Sequence, residues 1–92
     1  MKYYDWDKEK NDKLKLERDI GFEEVLNAFD SGGLIKITKN PNSKKYPNQK
    51  VYIVNIDNYV YIVPFVEDED KYFLKTIFPS RKMTKQYLSK NK

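Results

Sequence analysis

Val51-Tyr52-Ile53-Val54-Asn55-Ile56-Asp57-Asn58-Tyr59-Val60-Tyr61-Ile62-Val63-Pro64-Phe65-Val66 reads as a β-hairpin and decides the fold class. Both arms are rich in β-branched and aromatic residues, which suit a pleated, packed surface. Asp57 and Asn58 tolerate positive φ, as a two-residue hairpin turn requires. Such a turn sets Ile56 against Tyr59, Val54 against Tyr61 and Tyr52 against Val63. One face then holds Tyr52, Tyr59, Tyr61 and Phe65. The other holds Val51, Ile53, Asn55, Val60, Ile62 and Pro64.

Outward from the hairpin, 34–39 reads as a strand before it and 71–78 as a strand after it. A basic, turn-rich loop occupies 40–49. If 71–78 pairs through a four-residue loop, Phe73 and Ile77 join the aliphatic face with Lys71 and Lys75, while Tyr72 and Leu74 join the tyrosine face. The aliphatic face is expected to meet the helices, and the tyrosine face to be partly open. Phe22, Val25, Leu26 and Phe29 fall at i, i+3, i+4 and i+7, one side of a helix. Gly21 stands at its N-cap with Glu24 three residues on, Ile20 is placed to staple onto Val25, and Ser31-Gly32-Gly33 ends it. A first helix, capped by Asp7 and running to about Arg18, has few apolar residues (Leu14, Leu16) and relies on packing by Trp6. Residues 3–5 read as a short strand, and Ser80 as the cap of a short helix over about 81–88. The expected class is α+β: two N-terminal helices packed on an antiparallel sheet of about four strands, then a short C-terminal helix.

The 92 residues suffice for one domain, 1–92, and not two. The chain has no cysteine and no histidine. That argues against disulfides, thiolate zinc sites and both Ser-His-Asp and Cys-His catalysis. No metal and no cofactor is expected. Net charge is +4 and unevenly spread. Lys36, Lys39, Lys44, Lys45 and Lys50 lie in a stretch without an acid, as do Arg81, Lys82, Lys85, Lys90 and Lys92. Two such segments suit a polyanion, and equally a solvated lysine-rich surface. The longest apolar stretch, 60–66, contains Pro64 and falls far short of the roughly 20 residues of a membrane span. With no leader visible, the expectation is a soluble, cytoplasmic protein without a membrane partner.

Eight tyrosines need a reading. On a half-open sheet, tyrosine stacks on bases and reaches phosphate; it is also a good strand former with a wet tip. RNA cleavage by 2′-hydroxyl attack needs a proton acceptor, a proton donor and positive charge at the phosphorane. Without histidine these roles fall to Lys, Arg, Tyr, Glu or Asp. Arg81 and Lys82, just past the last strand, can hold phosphate or simply open a solvated helix. The acidic run 67–70 reads as a solvated turn.

Tyr4-Asp5-Trp6-Asp7, Lys10 and Phe22-Glu23-Glu24, with Ile77-Phe78-Pro79-Ser80-Arg81-Lys82-Met83-Thr84 near the end, resemble the BrnT family of bacterial toxins, within the RelE-like ribonucleases. The family pattern is W-D, a lysine three residues on, S-F-E-E opening the second helix, and I-I-S-A-R-x-A-T late in the chain. Departures include Glu17-Arg18-Asp19 where the family has Lys-His-Gly, and Gly21 where it has Ser. The resemblance implies a RelE-like fold and the toxin of a type II toxin–antitoxin pair. Such toxins inhibit translation by cutting RNA. A cognate antitoxin neutralises them, and operator DNA is met only through the toxin–antitoxin complex. It implies Arg81 as an RNA contact, with Arg18 standing in for the lost Lys-His pair. The candidate catalytic set is Arg81, Tyr61 and Lys75; the candidate RNA-binding set is Tyr52, Lys50, Lys82 and Arg18. The competing expectation is a non-catalytic RNA- or protein-binding module on the same fold.

Overall fold

The computed structural model describes residues 2–40, 44–45 and 47–88. Parts of the expected basic loop (41–43 and 46), and Lys90 and Lys92 of the basic tail, lie outside the described residues. Along the chain run β1 (Tyr3–Trp6), α1 (Lys8–Arg18), α2 (Phe22–Asp30), β2 (Leu34–Lys39), β3 (Gln49–Ile56), β4 (Tyr59–Glu67), β5 (Lys71–Leu74), β6 (Phe78–Pro79) and α3 (Arg81–Leu88). No helix among the described residues is long and apolar enough to cross a membrane.

The hairpin forms in the expected register, Ile56 against Tyr59 and Tyr52 against Val63. Asp57 and Asn58 take φ of 53° and 64°, the left-handed pair that a tight hairpin of this twist needs. Around it the sheet is larger than expected and mixed. Its order is β1-β5-β4-β3-β2, with β6 also on β4, and β1 runs parallel to β5 (Tyr3 against Lys71, Trp6 against Leu74). The all-antiparallel sheet of about four strands is therefore corrected. A parallel neighbour needs a long crossover, and here everything between β1 and β5 supplies it.

The expected single strand 71–78 is also corrected. Phe65 pairs with Leu74, and Ile62 pairs with Phe78. One strand advances three residues while its partner advances four, so 75–77 contains a β-bulge. The bulge faces Pro64, which has no N–H to give to a ladder; its carbonyl accepts the Lys75 N–H at 2.8 Å. The extra residue turns Ile77 from the aliphatic face to the opposite one, where it is fully buried.

The two faces are covered in the reverse of the expected sense. Helices α1 and α2 pack on the aromatic face, where Leu14, Ile20, Phe22 and Val25 meet Tyr52, Val54, Phe65 and Leu74. Aromatic rings account for the preference: Trp6 stacks on Phe22 at 5.5 Å, Phe29 meets Tyr52 edge-on at 4.9 Å, and Tyr52 stacks on Phe65 at 4.0 Å. The aliphatic face is covered by α3 instead, through Met83, Tyr87 and Leu88 against Val51, Ile53, Val60 and Ile62. The result is three layers, with the sheet in the middle.

One buried polar residue joins the helices. Asn11 Oδ1 accepts from the Phe22 N–H at 2.7 Å, and its Nδ2 donates to both Glu23 oxygens at 3.1 Å. It does for α2 what a capping side chain at Gly21 would do. A Cβ at Gly21 would stand 2.8 Å from that same Oδ1 and 2.6 Å from Lys15 Cε, so only glycine fits there without a shift. Glu24 supplies the other half of the cap, accepting from the Gly21 N–H at 2.6 Å. Asn11→Leu leaves a buried N–H without a partner and should cost about 1–3 kcal/mol in urea unfolding. A variant as stable as the parent would contradict that bridging role.

Candidate nucleic-acid interface

The bulge and the residues after it organise this end of the sheet. The Ile77 carbonyl accepts from Arg18 Nη1 at 2.8 Å, which ties the end of α1 to the bulge. Pro79 follows in β6 and brings no N–H. Together they blunt the short edge that β1 leaves unpaired beyond β5. The Ser80 N–H then donates to Val60 O at 2.9 Å, and Ser80 Oγ caps α3 by accepting from the Met83 N–H at 3.1 Å. Thr84 Oγ1 accepts from the Val60 N–H at 2.9 Å and donates to Ser80 O at 2.7 Å, locking α3 to β4. Thr84→Val should cost about 1–2 kcal/mol and loosen α3 first, read as faster amide exchange over 81–88. Unchanged exchange there would remove the lock from the account.

With Ser80, Met83 and Thr84 turned to the sheet, Arg81, Lys82 and Lys85 are left exposed on α3. No acid lies in the first turn of α3. Tyr61 stands opposite Pro79. The segment 77–81 therefore links three of the candidate residues: Arg18 bonded to its start, Tyr61 paired along it and Arg81 at its end.

The other candidates are placed elsewhere. Tyr52 is 3% exposed in the core beneath α2, so it is corrected from an RNA contact to a packing residue. Burial first, then the neighbouring Tyr4 phenol, raises its pKa well above the ordinary 10.0. Lys50 sits at the far end of the hairpin, 3.9 Å from Glu67, which also pairs with Lys2. The hydrogen bond from Lys2 is the main cause holding the Glu67 carboxyl below the usual range. Lys50 is thus part of a surface ion network remote from α3. Lys75 lies on the opposite sheet face from Tyr61, because Tyr61 packs against the helix-side core while Lys75 borders Val51 and Ile62. The catalytic set Arg81, Tyr61 and Lys75 therefore does not share one face. Arg18 has one donor committed to Ile77 and, among the described residues, further donors without a partner.

Burial raises the Tyr61 pKa, and the negative charge of Asp57 adds to it. The phenol is thereby better suited to hold and donate a proton than to take one. Arg81 and Lys82 offer positive charge for phosphate.

Sequence reasoning missed one feature of this region. Beside α3 lies a groove of about 440 Å³, floored by Val51, Ile62 and Pro64 and walled by Phe78, with Gln49 and Lys75 at its rim. Phe78 belongs there only because the bulge moves it onto the face of Ile62. The available signal was Pro64, a proline inside a central strand.

Compared with known proteins, the chain matches no family model, no curated protein and no solved structure.

Proposed function

We propose that this chain is the toxin of a bacterial type II toxin–antitoxin pair, a small RelE-like endoribonuclease that inhibits translation and is neutralised by a cognate antitoxin protein. The observation that carries the reading is the division of labour in 77–84. Ile77 is buried, Ser80 caps, Met83 packs and Thr84 locks, while Arg81 is exposed at the start of a helix whose first turn has no acid. The packing needs a residue of each of those kinds; it does not need an arginine at 81. A guanidinium there suits phosphate and the charge that develops on a phosphorane. Tyr61 is the proton donor and Lys82 a phosphate contact; the antitoxin mediates any meeting with operator DNA.

Induced expression should arrest growth, and co-expression of the adjacent reading frame should relieve the arrest. Arg81→Ala should lower RNA cutting by about 100-fold, the scale of losing one transition-state contact. Growth unaffected by the parent protein, with folded protein accumulating, would sink this reading.

A second reading has one observation in its favour. Tyr61 is held protonated by burial, and Arg18, Arg81 and Lys82 are cationic, so no proton acceptor stands among them. That arrangement fits a non-catalytic module that binds RNA or a protein. It predicts salt-sensitive RNA binding with the RNA left intact.

A further inference from the structure

We infer that the groove beside α3 is a nucleotide pocket that holds one unstacked base of a single-stranded RNA, with Phe78 as its stacking platform. This rests on the reading of the chain as an RNA-handling protein and adds where the substrate is gripped.

Three pockets are separated by their charges. One is bordered by Glu24 and Asp57, and another by Glu67, Asp68 and Glu69 with Lys2 and Lys50, an excess of acid in both. Carboxylates there repel a phosphate-bearing ligand. The groove beside α3 has no carboxylate in its lining, and its one charged residue is Lys75. Lys75 Nζ lies 5.4 Å from the Phe73 ring centre, whereas Lys71 is paired with Asp5 at 3.4 Å. Lys75 is therefore the cation that the groove offers a phosphate.

The lining suits a base. Phe78 is 38% exposed, unusual for a phenylalanine and sufficient to offer a ring face. Val51, Ile62 and Pro64 provide an apolar floor. Gln49 accepts from Asn40 Nδ2 through its Oε1 at 3.0 Å, which orients the Gln49 amide so that, among the described residues, its Nε2 donors are turned to no partner and suit a base edge. A volume of about 440 Å³ is that of a small-ligand cleft. Phe78 is also three residues before Arg81 along a rigidly bonded segment. A base on Phe78 and a neighbouring phosphate at Arg81 are thus compatible with one strand.

The test uses the whole chain and fluorescein-labelled 2′-O-methylated hexanucleotides, which bind as RNA but cannot be cut by 2′-hydroxyl attack. Anisotropy gives affinity for the parent and for Phe78→Leu, Phe78→Trp and Gln49→Ala, each checked by thermal unfolding. Methyl NMR follows Val51 and Ile62. Phe78→Leu should weaken binding about tenfold, Phe78→Trp should preserve it, and the two methyl groups should shift on binding. Binding by the parent with unmoved methyl groups and no loss in Phe78→Leu overturns the pocket and leaves the Arg81 reading standing. No binding by the parent overturns both. Methyl shifts caused by an apolar peptide and not by the oligonucleotides would assign the groove to a protein and overturn the proposal.

Discussion

Phe22→Ala lowers stability by about 3–5 kcal/mol, the cost of deleting a buried phenylalanine whose surroundings relax only partly. The ring has no exposed surface and stacks on Trp6 at 5.5 Å with an angle of 26° between the planes. Its backbone N–H is held by Asn11. Loss of the ring therefore empties the junction of β1, α1 and α2 at once. Net stability for a domain of this size is typically about 5–10 kcal/mol, so the variant loses a large share of it. Trp6 is the only tryptophan, and its fluorescence during urea unfolding reports directly on the stack. Leu16→Ala makes the control, since Leu16 is 88% exposed and its loss should change stability by less than about 0.5 kcal/mol. Equal effects of the two substitutions would contradict the placement of the core.

Tyr52→Ala costs about 3–5 kcal/mol as well, for a reason that separates core from interface. Tyr52 stacks on Phe65 at 4.0 Å and is bracketed by Phe29 at 4.9 Å. Tyr52→Phe keeps both contacts and should preserve fold and function together. The hydroxyl makes itself felt at high pH. Burial raises its pKa above the ordinary 10.0, so below pH 10 folded and unfolded chains both carry the proton and its contribution is fully present. As pH rises through 10 the unfolded chain ionises first, and that contribution is progressively lost. Unfolding midpoints should fall with pH above about 10 in the parent, and less steeply in Tyr52→Phe. Parallel pH profiles for the two would show that Tyr52 is not the buried phenol responsible.

What the sequence revealed and what it concealed follow from how local each cause is. The α2 stripe, the Asp57-Asn58 turn and the Ser80 cap depend on neighbours within a few residues, and each is where the pattern put it. The facing of 71–74 was legible too, with Tyr72 and Leu74 on the side of Phe65, but a four-residue loop would set Phe65 against Tyr72 and the strand pairs two residues further on, Phe65 against Leu74. The parallel pairing of β1 with β5 was not, because four residues without periodicity say nothing of a partner so distant in the chain. Which sheet face the helices choose was hidden for a different reason. Both faces are apolar enough to be covered, and the choice was made by ring-on-ring packing among Trp6, Phe22, Phe29, Tyr52 and Phe65. That reversal removed Tyr52 from the site. Lys75 was already on the face opposite Tyr61 by strand alternation, and the bulge opposite Pro64 turned Ile77 into the helix-side core and brought Phe78 to the groove. Arg81 emerged from sequence and structure in the same place, as an exposed cation at the head of α3.

Arg81 is also where the account is most directly tested. In a cell-free translation reaction with end-labelled mRNA, the purified parent protein should cut the message, leave 2′,3′-cyclic phosphate ends and stop protein synthesis. Arg81→Ala, equally folded, should leave the message intact over the same interval. Full-length mRNA and undiminished synthesis in the presence of the parent protein would contradict the central claim.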